Sequence, residues 1–176
     1  MTDIQGPPAF VLPEALLSRG LALRPETDAD LPFLMQVFAA SRADELAIVP
    51  WTQDQKRGFL LHQFGAQRKH YYSYFPNAAF DIIELGGEPI GRLYLDERQT
   101  CVHVIDIALM PGSRDGGIGT ALLTAIQDHA RARGKGVDIF VERINPAKSL
   151  YDRLGFTVIR EEDVYLEMEW TPDGVS

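Results

Sequence analysis

Hydrophobic and polar positions change period several times along this chain, and each change marks an element. Leu21-Ala-Leu-Arg24 is a short apolar run that predicts a first strand. Asp28 to Asp30 offer helix-cap chemistry, and Leu31, Leu34, Met35 and Phe38 then recur at helical spacing. Pro32 suits the first turn of that helix, where its missing N–H costs nothing, and Pro50 ends the segment. Thr52 with Gln55 reads as a capping box, and the helix predicted behind it sets Phe59, Leu60, Gln63, Phe64 and Gln67 on or near one face. Pro76 and Asn77 break the chain. Phe80 to Leu85 and Ile90 to Leu95 are strand-like, joined by the tight-turn signal Gly86-Gly87, and Val102 to Met110 is a third strong strand. Ala121, Leu122, Ala125, Ile126 and His129 return to helical spacing, and basic Arg131 and Arg133 precede Gly134 and Gly136. Val137 to Val141 reads as a buried strand and Pro146 to Leu154 as a short helix stopped by Gly155. Thr157 to Arg160 and Val164 to Trp170 close the chain as strands. Strands joined first by a hairpin and later by helices predict an α/β (α+β) domain, a mixed sheet with helices packed on it.

Domain organisation follows from the same pattern. Residues 1–20 carry Pro7, Pro8 and Pro13 and are weakly patterned, so they read as an N-terminal extension in which Leu12, Leu16 and Leu17 pack a short helix onto the domain. Residues 21–172 form one domain, with neither an internal repeat nor a low-complexity linker.

Composition narrows the function classes. The chain has 176 residues, 45% apolar and 24% charged, which suits one globular domain with its own core. Its net charge of −8 repels nucleic-acid phosphates and tilts the choice of partner toward cations. No apolar run has the length of a membrane span, and a basic-then-apolar leader is not evident at the N-terminus, so a cytoplasmic location is expected. The single cysteine, Cys101, lies beside an apolar run and reads as a packed thiol rather than a nucleophile. His62, His70 and His129 lack convincing metal spacing, and no metal is expected.

The segment that carries chemistry is a strand, then Arg114-x-x-Gly117-x-Gly119, then a helix. Glycines allow backbone N–H groups to approach a ligand without obstruction by Cβ. Those groups are the orphan donors of a helix's first turn, and with the helix dipole they favour an anion. Arg114 adds a positive charge suited to phosphate. Two familiar phosphate motifs are absent: no lysine stands between Gly119 and Thr120, as a P-loop requires, and Leu122 occupies the place of a third dinucleotide-fold glycine. A second segment, Asn145-Pro-Ala-Lys-Ser149-Leu-Tyr151-Asp-Arg-Leu-Gly155-Phe156, follows the next strand.

These two segments, in this order and at this distance, resemble the GNAT acetyltransferases. The resemblance runs from about Leu21 to Trp170 and is most specific over residues 102–156. It implies a strongly twisted mixed sheet of about seven strands with helices on both faces. It also implies a cleft between the fourth and fifth strands, here residues 102–110 and 137–141, and acetyl-CoA as cosubstrate. In the family the pantetheine pairs with the fourth strand, which maps onto Ile107, Ala108 and Leu109. The pyrophosphate lies on the loop, which maps onto Arg114, Asp115, Gly116, Gly117, Ile118, Gly119 and Thr120. The loop asparagine maps onto Asn145, a cofactor contact, and Lys148 is a further phosphate candidate. The helix tyrosine maps onto Tyr151, the acid that protonates the departing thiolate.

Direct acyl transfer needs an unprotonated amine, an oxyanion donor and a leaving-group acid. The Leu109 N–H is the candidate donor, and a phenol with a pKa of ~10 matches an alkyl thiolate. The general base is less determined. Asp106 is a carboxylate inside an apolar strand; Glu45 ends the first helical region and can face the acceptor; His103, three residues before Asp106, falls on the opposite face of a regular strand unless a bulge intervenes. Trp51 and the Tyr71-Tyr72-x-Tyr74 cluster wall the acceptor site, fill the core or form a homodimer contact. The expected acceptor is a small amine, an amino acid, an amino sugar or a protein amine, with neither nucleic acid nor membrane as partner. The alternative is a non-catalytic acyl-CoA-binding or regulatory domain of the same fold.

Overall fold

The computed structural model describes residues 9–173. Seven strands form one sheet in the order β1-β2-β3-β4-β5-β7-β6: β1 Leu21–Pro25, β2 Ala79–Leu85, β3 Glu88–Glu97, β4 Cys101–Leu109, β5 Gly136–Glu142, β6 Thr157–Glu161 and β7 Tyr165–Trp170. Neighbours pair antiparallel except β4 and β5, which are parallel. Parallel neighbours need a crossover, and α4, Ile118–Arg131, supplies it. The remaining helices are α1 Glu14–Leu17, α2 Leu31–Ala47, α3 Gln53–Tyr74 and α5 Lys148–Arg153.

Alternation along the strands divides the apolar residues between two faces. The larger core joins Ile83, Leu93, Val104, Val137, Ile139 and Met168 to Leu122, Leu123 and Ile126 of α4. Full burial of a leucine or isoleucine side chain contributes roughly 1.5–3 kcal/mol, so the α4 face alone is a major source of stability. Leu12 and Leu16 join this core, whereas Leu17 is exposed; the described part of the extension is therefore packed into the domain, and Pro7 and Pro8 lie outside the described residues. On the opposite face Leu34, Phe38 and Phe64 of α2 and α3 close over Ile82.

Polar contacts fix that second layer. The Asp30 carboxylate accepts two 2.8 Å bonds from the Arg24 guanidinium and one from the Thr27 N–H, which holds its pKa down at about 2. The buried Glu26 carboxylate accepts from Arg68 of α3, from Tyr72 and from Tyr94, tying α3 to β3. Gln55 and Thr52 form the capping box read in the sequence. At Gly91 β3 lies so close to β4 that a Cβ would strike the Ala108 carbonyl, which is why this position has no side chain.

Candidate active site

Pairing between β4 and β5 runs from Cys101↔Gly136 to Val104↔Ile139 and stops. Beyond that rung β4 continues to Leu109 bound only to β3, while β5 continues to Glu142 bound only to β7. The strands part, and the β4 edge at Ile107, Ala108 and Leu109 faces an opening instead of a neighbour. An edge of unpaired backbone groups is a template for an extended ligand.

The chain then turns through Pro111–Ser113 into the glycine loop. Asp115 has φ 64° and Gly117, the residue before α4, has φ 77°. A side chain at the latter position meets the left-handed penalty of roughly 1–2 kcal/mol. The N–H groups of Ser113 and Arg114 bond back to Met110 and Pro111, and that of Ala121 bonds Gly117. Those between, from Asp115 to Thr120, have no hydrogen-bond partner among the described residues. A run of orphan donors at the N-terminus of a long helix fits a pyrophosphate. The Arg114 Nε donates to the Leu109 carbonyl at 3.0 Å, so this side chain braces the loop against β4 while the rest of its guanidinium stays exposed.

Tyr151 of α5 is 4% exposed and packed edge-on to Phe156. Burial, and then the Asp106 charge, push its phenol well above the usual tyrosine value. Its hydroxyl keeps its proton at neutral pH and bonds no described group. Asn145 and Lys148 each have a local partner. The Asn145 Oδ1 accepts from the Ala147 N–H at 2.9 Å, shaping the turn into α5, and the Lys148 ammonium pairs with Asp152 at 2.9 Å.

On the α2–α3 face, a bulge settles the geometry that sequence spacing left open. Tyr94 pairs with Asp106 and Leu95 with Val104, so Ile105 is the extra residue. The bulge shifts the strand's alternation by one, and His103 and Asp106 therefore share a face. Asp106 is clamped by Arg92 at 2.5 Å, and Arg92 also donates to Gln67 of α3. Tyr71 lies close enough to feel Asp106, Arg92, Tyr165 and Arg42; its hydroxyl is pushed up chiefly by burial and then by Asp106. Glu45 is exposed and shares Arg42 with Glu142 of β5 at the mouth of the opening. Trp51 packs edge-on to Phe59 and Tyr74 against His70, away from this group.

His103, a base candidate in the sequence, has a partner the sequence did not reveal. His103 is 2% exposed, and its Nδ1 lies 3.2 Å from the carboxylate of Asp138, its register partner on β5. Only the unpredicted β4–β5 register brings them together; His103 and Asp138 are 35 residues apart. Cys101 sits beside the same carboxylate, and burial followed by Asp138 pushes its thiol up to about 11, so it is no nucleophile at neutral pH. Among the described residues no three His, Cys, Asp or Glu side chains gather as a metal set, and no helix is long and apolar enough to cross a membrane.

Comparison with known proteins agrees with this geometry. The family model described as "Acetyltransferase (GNAT) family" matches residues 44–156. An uncharacterized N-acetyltransferase of Methanocaldococcus jannaschii is 31% identical over 130 residues, 60% of this chain and 58% of that protein. An N-alpha-acetyltransferase of Sulfurisphaera tokodaii is 32% identical over 112 residues, 51% of this chain and 67% of that protein. The chain thus spans a little over half the length of the first relative and about two thirds of the second. The structure of the Thermoplasma acidophilum PaiA N-acetyltransferase in complex with coenzyme A superposes with a TM-score of 0.65 at 17% identity, covering 86% of this chain and 99% of that one. At that identity the likeness establishes the fold, while the family model spans well over half of the sequence: the chain belongs to the GNAT acetyltransferase family.

Proposed function

We propose that the protein is an acetyl-CoA-dependent N-acetyltransferase that passes the acetyl group directly to a primary amine. The observation that carries this reading is the junction at the end of β4. One strand loses its neighbour at Val104 and runs, edge open, into a loop of unpartnered N–H donors. A thioester-bearing chain ending in a pyrophosphate matches both features together.

When bound, acetyl-CoA supplies the activated acyl group. The loop N–H groups from Asp115 to Thr120 hold the diphosphate, and Ile107, Ala108 and Leu109 align the extended arm. The Leu109 N–H points its dipole at the carbonyl oxygen where negative charge develops. Tyr151 gives its proton to the departing sulfur, a task for which a phenol that stays protonated is suited. Asp106, clamped by Arg92, and Glu45, paired with Arg42, are the carboxylates on the acceptor side and the candidates to receive the amine's proton. Asn145, whose Oδ1 is bonded and whose amide N–H2 is free, and Lys148, paired with Asp152 at the surface, contact the cofactor from the α5 turn.

The acceptor is a small amine, an amino acid, an amino sugar or a protein amine. The test is release of the free thiol from acetyl-CoA in the presence of tyramine, spermidine, L-methionine, glucosamine and a free-N-terminal hexapeptide. Amine-dependent release that Tyr151→Phe lowers supports the reading. Tight acetyl-CoA binding with no amine-dependent release contradicts it and leaves a non-catalytic acyl-CoA-binding domain.

A further inference from the structure

We propose that the Tyr71 hydroxyl accepts a hydrogen bond from the acceptor nitrogen and holds it beside Asp106; the inference rests on the acetyltransferase reading above. The place is the unpaired stretch of β4. The last β4–β5 rung is Val104↔Ile139, and Asp106 lies beyond it. Ala108, the register partner of Arg92, follows two residues later on the same face. Arg92 donates to Oδ2 of Asp106 and to Gln67 of α3, which pins α3 over this stretch. Tyr71 comes one helical turn after Gln67 and so projects from the same side of α3. Its ring meets Tyr94 edge-on at 5.9 Å, and Tyr94 is the register partner of Asp106.

Three polar atoms are left open around this point. Arg92 occupies Oδ2 of Asp106, and Oδ1 has no described partner. The hydroxyls of Tyr71 and Tyr151 bond no described group, whereas those of Tyr72 and Tyr94 both donate to Glu26. None of the three is among the sealed, unpartnered side-chain atoms, which are Nη1 of Arg68 and Nε and Nη1 of Arg92, so each reaches open space. Asp106 is close enough to act on both phenols. Arg42 of α2 and Tyr165 of β7 act on the Tyr71 hydroxyl as well, and Tyr165 is the register partner of Glu142 at the end of β5. The hydroxyl is thus within reach of groups on both sides of the point where β4 and β5 part.

The chemistry of the three atoms suits a nitrogen that must be held before and after it loses a proton. An arriving ammonium has several N–H donors. Oδ1 of Asp106 accepts one and the Tyr71 oxygen a second, which fixes a rotation that a single carboxylate leaves free. Once a carboxylate has taken the proton, the charge that held the ammonium is gone, and the Tyr71 oxygen still accepts an N–H of the neutral amine. Burial and then the Asp106 charge keep the phenol itself protonated, so it does not compete for the amine's proton. Tyr71 is therefore an acceptor-binding residue that neither gains nor loses a proton in the transfer. Its ring packs on Tyr94 and Phe75 with or without the hydroxyl, so the oxygen is separable from the fold.

Tyr71→Phe tests this against the fastest amine of the panel and against its deamino analogue, which carries hydrogen in place of the amino group. The variant should raise KM for the amine about 10-fold with kcat within about 3-fold of native. Its affinity for acetyl-CoA, measured by calorimetry, should stay within about 2-fold, and its thermal transition should match the native one. The deamino analogue should inhibit both proteins with the same Ki, because it has no N–H for the hydroxyl to hold. An unchanged KM for the amine overturns the inference. A Ki for the analogue that rises as much as KM also overturns it, because Tyr71 would then only shape the pocket. A parallel loss of acetyl-CoA affinity overturns it as well and assigns Tyr71 to the cofactor. A native chain that binds acetyl-CoA but acetylates no amine refutes the acetyltransferase reading itself, and this inference falls with it.

Discussion

On the proposed cofactor side of the opening the groups that would meet a ligand are backbone N–H donors and a strand edge, held by β4, the loop and α4. On the proposed acceptor side they are side chains from α2, α3, β3, β4, β5 and β7, held by ion pairs such as Arg92–Asp106 and Arg42–Glu142. A backbone cradle depends on positions that admit particular conformations, so its recognition is insensitive to most side chains around it. A side-chain wall depends on each residue, and on how distant segments bring those residues together. The same sheet thus carries one conformationally fixed surface and one that substitution can retune.

The largest expected effect sharpens the cofactor side. Tyr151→Phe should lower kcat by about 100- to 1,000-fold while leaving acetyl-CoA affinity within about 3-fold, because it removes the proton and keeps the ring packing. A parallel loss of affinity, seen by calorimetry, would make Tyr151 a binding residue instead. Next is the frame of the acceptor side. Asp30→Asn should cost about 1 kcal/mol in denaturant unfolding, since Arg24, about a third exposed, would lose one of its two carboxylate partners and keep Glu84. The pH dependence has a definite sign. The folded carboxyl is held at about 2, below its unfolded value near ~3.9. Its contribution is therefore complete above the unfolded value and is lost as pH falls through about 2; Asp30→Asn should flatten that part of the stability curve.

Gly91→Ala should destabilise by about 2 kcal/mol or more, because the new methyl group pushes β3 off the Ala108 carbonyl; thermal unfolding measures it. Asn145→Ala should cost about 1 kcal/mol, the value of a side chain that shapes a helix entry. A loss of acetyl-CoA affinity above about 10-fold would show Asn145 to be a direct cofactor contact.

The unequal legibility of the two sides has the same physical origin. The strands, the crossover helix and the Arg114 to Gly119 loop follow from local periodicity and glycine spacing, and the structure places each near its expected bounds. The helix carrying Tyr151 was legible because that short helix and its stop signal, Gly155, are local as well, whereas the role given to Tyr151 came from the resemblance. The partnership of Asp106 with Arg92 was not, because it joins residues of two adjacent strands in a register that periodicity leaves undetermined. His103 was harder still. Its face depends on the bulge at Ile105, and its partner Asp138 on a parallel pairing made across a helix. Local patterns carry no signal for either. Asn145 and Lys148 illustrate the converse: their motif positions were readable, but their hydrogen bonds to Ala147 and Asp152 depend on the turn they form.

The most direct test of the central claim is calorimetric titration of the native protein and of Gly117→Val with acetyl-CoA, each first verified as folded by its thermal transition. The account predicts tight binding to the native chain and its loss in the variant, because valine at φ 77° cannot keep the loop N–H groups converged on a diphosphate. Equal binding by both proteins would show that the loop is not the cradle. An absence of binding to the folded native protein would contradict the acetyl-CoA reading altogether.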